Sequence, residues 1–365
     1  MPLPTSPDEL TPAFVTDALR ASGALSSAGS VASFEWARVG EGAGFIGVIA
    51  RLRLAYGGDA AGAPATIIAK FPSPDEGART IGNLYGLFER EVHFYEDVAG
   101  RAGIYTARCY YAAWDGDAGQ SLLLLEDLAL HGEIGDQLAG CSADEAMLAI
   151  TELAKFHAAW SDPAKLEAIP WLQDGVELVR ASMTQAYPQS WQPCLDLFGA
   201  RFAPDVCAVI PGLDARIMRL LDEDLAGVPM NITHGDYRLD NLFFGRDGAP
   251  YRLAAVDWQS PNRGWGAYDV AYFLSGSMPP EERRACEPAI LRAYHDTLVQ
   301  GGVRGYPFER FHDDYRRSLL VYLAIFVVNG ATLEMTNQRA VDLFGAIFDR
   351  LNAAIVDLDA LALLR

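Results

Sequence analysis

"HGDYRLDNLFFGRDGAPYRLAAVDWQ", residues 234–259, places polar groups at both ends of two short apolar runs. Leu242-Phe243-Phe244 and Leu253-Ala254-Ala255-Val256 are β-prone, and the segment between them, Gly245-Arg246-Asp247-Gly248-Ala249-Pro250, carries the Asp-Gly and Pro signals of a turn. The stretch therefore reads as a β-hairpin. Residues equally far from a hairpin turn lie opposite each other, so Asn241 and Asp257 are expected to meet at one edge. Their side-chain oxygens suit a hard cation such as Mg²⁺, which takes one or two protein oxygens and completes its octahedron with water and phosphate. Asp236, just upstream and off the strands, is placed to act as a base. Taken one at a time, each of these residues is also what an ordinary turn or strand end carries.

The rest of the chain bounds the setting. Its 365 residues exceed one small core and suit two lobes. Lys and Arg number 29 against 48 Asp and Glu, a formal net charge of -19, and no basic run exceeds a pair. Nucleic acid is thus not an expected partner. An acidic surface can attract a cationic substrate, but more commonly it only keeps a protein dispersed. The five cysteines are odd in number and contain no C-x-x-C pair, so neither a zinc site nor a disulfide framework is implied. The opening MPLPTSPDEL lacks the pattern of a secretory signal, and the apolar run at 319–328 falls well short of the ~18 residues of a membrane span. The expectation is a cytoplasmic protein with no membrane association and no obligate protein partner.

Helix and strand signals divide along the chain. Ser6-Pro7-Asp8-Glu9 reads as a capping box opening a helix to about residue 22. Strand-like segments follow at 33–38, 48–56 and 65–71, a helix at 79–99, and further strands at 108–114 and 120–125. A second capping box, Ser142 to Glu145, opens a helical remainder in which the hairpin is an island. The expected fold class is α+β in two lobes, residues 1–126 and 127–365.

Three features of the first lobe bear on chemistry. Gly42, Gly44 and Gly47 form G-x-G-x-x-G. A dinucleotide fold requires a helix after such a loop, whereas "VIARLRLAY" reads as a strand, the arrangement of a hairpin that covers phosphates. A flexible loop of many glycines is the plainer alternative. Lys70 ends the apolar run "ATIIAK", and a lysine facing a covered side of a sheet needs an anion. Glu91 lies on one helical stripe with Leu84, Phe88, Tyr95 and Val98, so the two are natural partners. "LLLLEDL" is a buried-type strand end, where main-chain groups of Glu126 and Leu128 could pair with a flat heterocycle.

The order of these parts, glycine loop, strand lysine, helical glutamate, crossing strand, "HGDYRLDN" and "VDWQ", is that of protein kinases. The sequence resembles the aminoglycoside phosphotransferase and choline kinase family, a protein-kinase-like group that phosphorylates small molecules. "GEGAGFIG", "FEREVHFY", "LLLLEDL" and "VDWQ" are most similar to its choline- and ecdysteroid-kinase-like branch. The resemblance implies a bilobal protein-kinase-like fold, an N-terminal lobe of antiparallel sheet plus helix, and a mostly helical C-terminal lobe with a catalytic hairpin. It implies an ATP- and Mg²⁺-dependent transfer of the γ-phosphate to a hydroxyl of a small-molecule acceptor. Asp236 would orient the hydroxyl and accept its proton, and Asn241 and Asp257 would hold Mg²⁺. Lys70 would bind the α- and β-phosphates, with Glu91 fixing it. Arg238 would neutralise charge on the moving phosphoryl group, its alternative being a surface salt bridge. His234 and His157 are expected to be structural, and Asp269 to accept N–H groups of the catalytic loop.

Departures from the protein kinase pattern narrow the acceptor. Gly235 replaces the arginine that grips a phosphorylated activation loop, and only a short segment separates Asp257 from Asp269, with no A-P-E following. A peptide platform is missing, and a small acceptor fits better. Carboxylates and rings at Asp313, Asp314, Tyr315 and Trp265 would suit a cation, one acceptor class among several. Three other readings stand beside this one: a non-catalytic nucleotide-binding protein of the same fold, a dinucleotide oxidoreductase, which predicts a helix directly after Gly47, and a protein kinase, which the short segment after Asp257 disfavours.

Overall fold

Alternating apolar and polar residues put long strands at Gly29–Val39 and Gly47–Gly58 and shorter ones at Thr66–Pro72, Cys109–Asp115 and Gln120–Glu126. In the computed structural model, which describes residues 3–40, 47–223, 225–332 and 337–364, these five form one antiparallel sheet. From one edge the order is Gly29–Val39, Gly47–Gly58, Thr66–Pro72, Gln120–Glu126, Cys109–Asp115. One face carries Leu52, Ile67, Ala69, Phe71, Leu122 and Leu124 into a core shared with Val15 and Leu19 of the Pro12–Ala21 helix. Each fully buried aliphatic side chain there contributes about 1.5–3 kcal/mol. The strand beginning at Gly47 is where a dinucleotide fold would need a helix, which removes that reading.

Two helix expectations are corrected. Pro7–Glu9 makes a single 3₁₀ turn, and the first α-helix starts five residues later, at Pro12. A residue before proline is driven out of the helical region, and Thr11 (φ -115°, ψ 152°) interrupts the run and becomes the N-cap. The helix expected over 79–99 is two helices, Glu76–Leu84 and Leu87–Asp97, parted by Gly86 at φ 63°. Past the break the predicted stripe holds, with Phe88, Glu91, Tyr95 and Val98 all buried. Leu84, on the other side of it, is 77% exposed.

The chain forms two units, Met1–Glu133 with Gly245–Ser260, and Ile134–Phe244 with Pro261–Arg365. In the first unit Leu253–Ala255 pairs parallel with Tyr105–Thr106, and the turn before it closes through Gly245 N–H to the Arg252 carbonyl at 2.9 Å. The second unit is helical. Its Ala143–Ala159 helix carries the predicted capping box, Ser142 and Glu145 each accepting the other's backbone N–H, and packs on Pro280–Gln300. Ala267–Ser277 is buried from Asp269 to Ser277 and packs against Phe308–Ala331 and Gln338–Asp357. Met230–Thr233, which leads into the 234–241 loop, pairs antiparallel with Asn262–Trp265 in a two-stranded ribbon. Among the described residues no helix is long and apolar enough to cross a membrane.

Candidate active site

Lys70 sits mid-sheet, opposite Ile49 and Leu123. Its neighbours Ala69 and Phe71 point into the apolar core, so by strand alternation its ammonium emerges on the other face. There Nζ lies 2.8 Å from Glu91 Oε1 and 2.6 Å from Asp257 Oδ1. Burial works to strip the proton from Lys70, but the Asp257 and Glu91 carboxylates outweigh it and hold the ammonium above its ordinary value. For Glu91, burial outweighs the pull of Lys70 and the Gln259 side chain and holds the carboxyl above its ordinary value, with the Asp257 carboxylate adding to the rise. The Lys70 ammonium 2.8 Å away offsets part of the cost of burying it. One positive charge thus faces two carboxylates.

Asp257 takes φ 64°, a left-handed conformation that few non-glycine residues adopt and that Asp tolerates better than most. The next residue holds it there. Trp258 is fully buried and stacks on Phe94 at 4.0 Å with the rings 7° from parallel, and its Nε1–H donates to the Ala255 carbonyl at 3.0 Å. Burial of this ring fixes the backbone that aims Asp257, whose side chain stays 35% exposed.

In the second unit the 234–241 loop is held from behind. Asp269, with no exposed surface, accepts the N–H of His234 at 2.6 Å and of Gly235 at 3.1 Å, and lies 3.2 Å from His157 Nε2. His157 is in turn 2.7 Å from the Tyr294 hydroxyl. It is a core histidine, its ring held between two side chains. Gly235, at φ 79°, makes the bend that a side chain would strain. Asp236 N–H donates to His234 Nδ1 at 3.3 Å, which leaves that ring's proton on Nε2.

Asp236 is the polar centre of the loop. Its Oδ2 accepts Arg238 Nε at 3.2 Å and Asn241 Nδ2 at 2.9 Å, and its Oδ1 accepts the Tyr272 hydroxyl at 2.6 Å. Burial, then the Asp236 carboxylate, push the Tyr272 hydroxyl well above the tyrosine range, so it remains a donor. Arg238 also reaches Asp240 at 2.7 Å, and at 18% side-chain exposure it is a largely buried fork between two carboxylates. The surface salt bridge considered for it is not what forms. Asn241 spends Nδ2 on both the carbonyl and the carboxylate of Asp236, which leaves its amide oxygen for a cation.

Lys70, Glu91 and Asp257 therefore come together in the first unit, and Asp236, Arg238 and Asn241 in the second. Gly42 and Gly44 lie outside the described residues. Gly47 starts a strand, where an added Cβ would come 2.8 Å from the Phe71 carbonyl oxygen, so the sheet itself requires a glycine there. In the crossing segment the Glu126 N–H is spent on the Arg108 carbonyl at 2.8 Å, and the Leu128 carbonyl accepts the Tyr251 hydroxyl at 2.7 Å. A nucleobase pairing at these two residues then rests on the Glu126 carbonyl and the Leu128 N–H. Asp314, Tyr315 and Trp265 are not presented to a ligand. They are buried and bonded to Tyr306, Glu287 and Ser318.

Two residues were missed from sequence. Tyr272 follows Asp269 by three on one helix face, a spacing that could have revealed it. Gln137, which is fully buried and accepts the Leu239 N–H through Oε1 at 2.9 Å, comes from far upstream with no local signal. Among the described residues no three His, Cys, Asp or Glu side chains gather as a metal site. The Asn241 amide oxygen in the second unit and the Asp257 carboxylate in the first are each a donor of the kind Mg²⁺ takes alongside phosphate and water. The hard oxygen donors fit Mg²⁺.

Comparison with known proteins places the fold. A candidate aminoglycoside phosphotransferase from Ralstonia eutropha JMP134 superimposes with a TM-score of 0.53 at 17% identity, over 92% of this chain and 98% of its own. The GDP complex of wild-type aminoglycoside 2'-phosphotransferase-IIIa gives 0.54 at 14% identity, over 88% and 94%. An amicoumacin kinase in complex with AMP-PNP and Ca²⁺ gives 0.50 at 12% identity, over 91% and 92%. These likenesses establish a protein-kinase-like α+β fold. No curated protein sequence matched. The sequence matches the ecdysteroid kinase-like family over residues 41–302, most of its length, and the chain belongs to that family.

Proposed function

We propose that the protein is an ATP- and Mg²⁺-dependent phosphotransferase that moves the γ-phosphate to a hydroxyl of a small molecule. The observation that carries this reading is the Lys70 ammonium between Glu91 and Asp257, three residues far apart in sequence gathered where the chemistry needs one cation and two anions. Membership of the ecdysteroid kinase-like family supports it, as do the GDP and AMP-PNP complexes of proteins with the same fold.

Each residue then has a task. Lys70, oriented by Glu91, binds the α- and β-phosphates. Asp257 and Asn241 hold Mg²⁺, which supplies neutralisation of phosphate charge when bound. The Glu126 carbonyl and Leu128 N–H pair with the nucleobase. Asp236 orients the acceptor hydroxyl and takes its proton, and Arg238 sits beside it to offset charge on the transferring group.

The test is ATP consumption, coupled to a visible readout, across aminoglycosides, amino alcohols, sugars and sterol-like alcohols. Wild type should show acceptor-dependent turnover, and Asp236→Ala should lower it by about 10²–10⁴-fold. Tight Mg-ATP binding with no acceptor-dependent turnover would favour the non-catalytic nucleotide-binding alternative.

A further inference from the structure

The donors on Asp236 distinguish its two oxygens. Oδ2 carries two, Arg238 Nε and Asn241 Nδ2, while Oδ1 carries one, the Tyr272 hydroxyl. A carboxylate oxygen offers two lone-pair sites, so Oδ2 is filled and the vacant site is on Oδ1. We propose that Oδ1 is the oxygen that receives the acceptor's proton, and that Tyr272 is the positioning residue that aims it. The inference rests on the phosphotransferase reading and adds to it a named atom and a residue outside the kinase motifs.

Tyr272 is built for this. Its ring lies 4.4 Å from Tyr322 and 5.9 Å from Phe326, and only 7% of the residue is exposed. Three residues earlier on the same helix, Asp269 fixes the backbone of 234–235, so one helix sets both the course of the loop and the rotation of the carboxylate that follows. Without the Tyr272 hydroxyl Oδ1 loses its one partner, and only the two donors on Oδ2 resist a turn of the carboxylate about its Cβ–Cγ bond. In the reaction the acceptor O–H bond breaks as its proton bonds to Oδ1. The acceptor oxygen bonds to the γ-phosphorus of ATP, the bond from that phosphorus to the bridging oxygen breaks, and ADP departs with the electron pair. Asp236 then returns the proton to solvent.

The experiment compares Tyr272→Phe with Tyr322→Phe. Both remove one tyrosine hydroxyl from one aromatic stack, but the buried Tyr322 hydroxyl makes no hydrogen bond. Tyr272→Phe should lower kcat about 10–100-fold, the worth of one hydrogen bond to a charged group, with KM for ATP unchanged. Tyr322→Phe should leave kcat in place. In an Asp236→Asn background Tyr272→Phe should cost nothing more. A wild-type kcat in Tyr272→Phe, or an equal loss in both backgrounds, would overturn the proposal. A crystal structure of Tyr272→Phe decides it without turnover: the Asp236 carboxylate should rotate, and an unchanged rotamer overturns the proposal. Absence of acceptor-dependent turnover in wild type would instead count against the phosphotransferase reading, leaving that crystal structure to judge the role of Tyr272.

Discussion

Replacing Asp269 with asparagine should separate what holds the catalytic loop from what reacts on it. The carboxylate serves three donors, His234 N–H, Gly235 N–H and His157 Nε2, inside a site with no solvent exposure. In the best orientation asparagine keeps its oxygen at the Oδ2 position, retaining His234 and His157, and turns its NH₂ toward the Gly235 N–H. One hydrogen bond to a charged group is lost, about 1.5–3 kcal/mol, and an unsatisfied donor is buried against another, about 1–3 kcal/mol. The sum is about 2.5–6 kcal/mol. For a helical unit of this size that lowers the melting midpoint by roughly 5–24 °C. Because Gly235 directly precedes Asp236, a displacement approaching an ångström there should also lower kcat about 10²-fold. Calorimetry gives the first quantity and the coupled ATP assay the second. A variant that melts with the wild type and turns over at its rate would refute the reasoning that Asp269 fixes the loop.

Lys70→Met should weaken fluorescent ATP-analogue binding in titration and cost about 3 kcal/mol in urea unfolding, most of it from Glu91 left buried at 4% side-chain exposure without its ammonium. Part of the alkaline stability follows from the thiols: burial pushes Cys109, Cys141 and Cys194 from 9.0 up to about 12. Above pH 9 the unfolded chain releases these protons while the folded chain keeps them until about 12, so stability is full below that window and falls across it. Each thiol contributes a slope of about 1.4 kcal/mol per pH unit. Urea midpoints from pH 8 upward should show the fall, and alanine at Cys141 and Cys194 should flatten it.

Much of this was legible in the sequence because the informative signals are local. The strand holding Lys70, the stripe holding Glu91 from Phe88 onward and the capping box at Ser142 each depend on spacing within one element, and each appears where spacing put it. The family resemblance drew on order along the chain, which survives without any knowledge of packing, and the family match supports it. Breaks were harder to read. Thr11 and Gly86 end or start helices through backbone angles that apolar periodicity does not register. Hardest were partners brought from afar: Gln137 beneath Leu239, Tyr294 behind His157 and Phe94 under Trp258 are consequences of the fold, and no window of sequence contains both members. The acidic and aromatic residues near 313–315 misled for a related reason, since composition does not reveal that Asp314 and Tyr315 are consumed by Tyr306 and Glu287.

The chain leaves its first unit after Glu133 and comes back to it only for Gly245–Ser260. That short return delivers Trp258 beneath the Phe94 ring and Asp257 beside the Lys70 ammonium. During synthesis the sheet is therefore made long before its last aromatic plug and second counter-ion exist. A fragment cut at residue 133 would carry an open apolar socket and a lysine satisfied on one side alone, an exposed seam that invites aggregation until the later segment arrives.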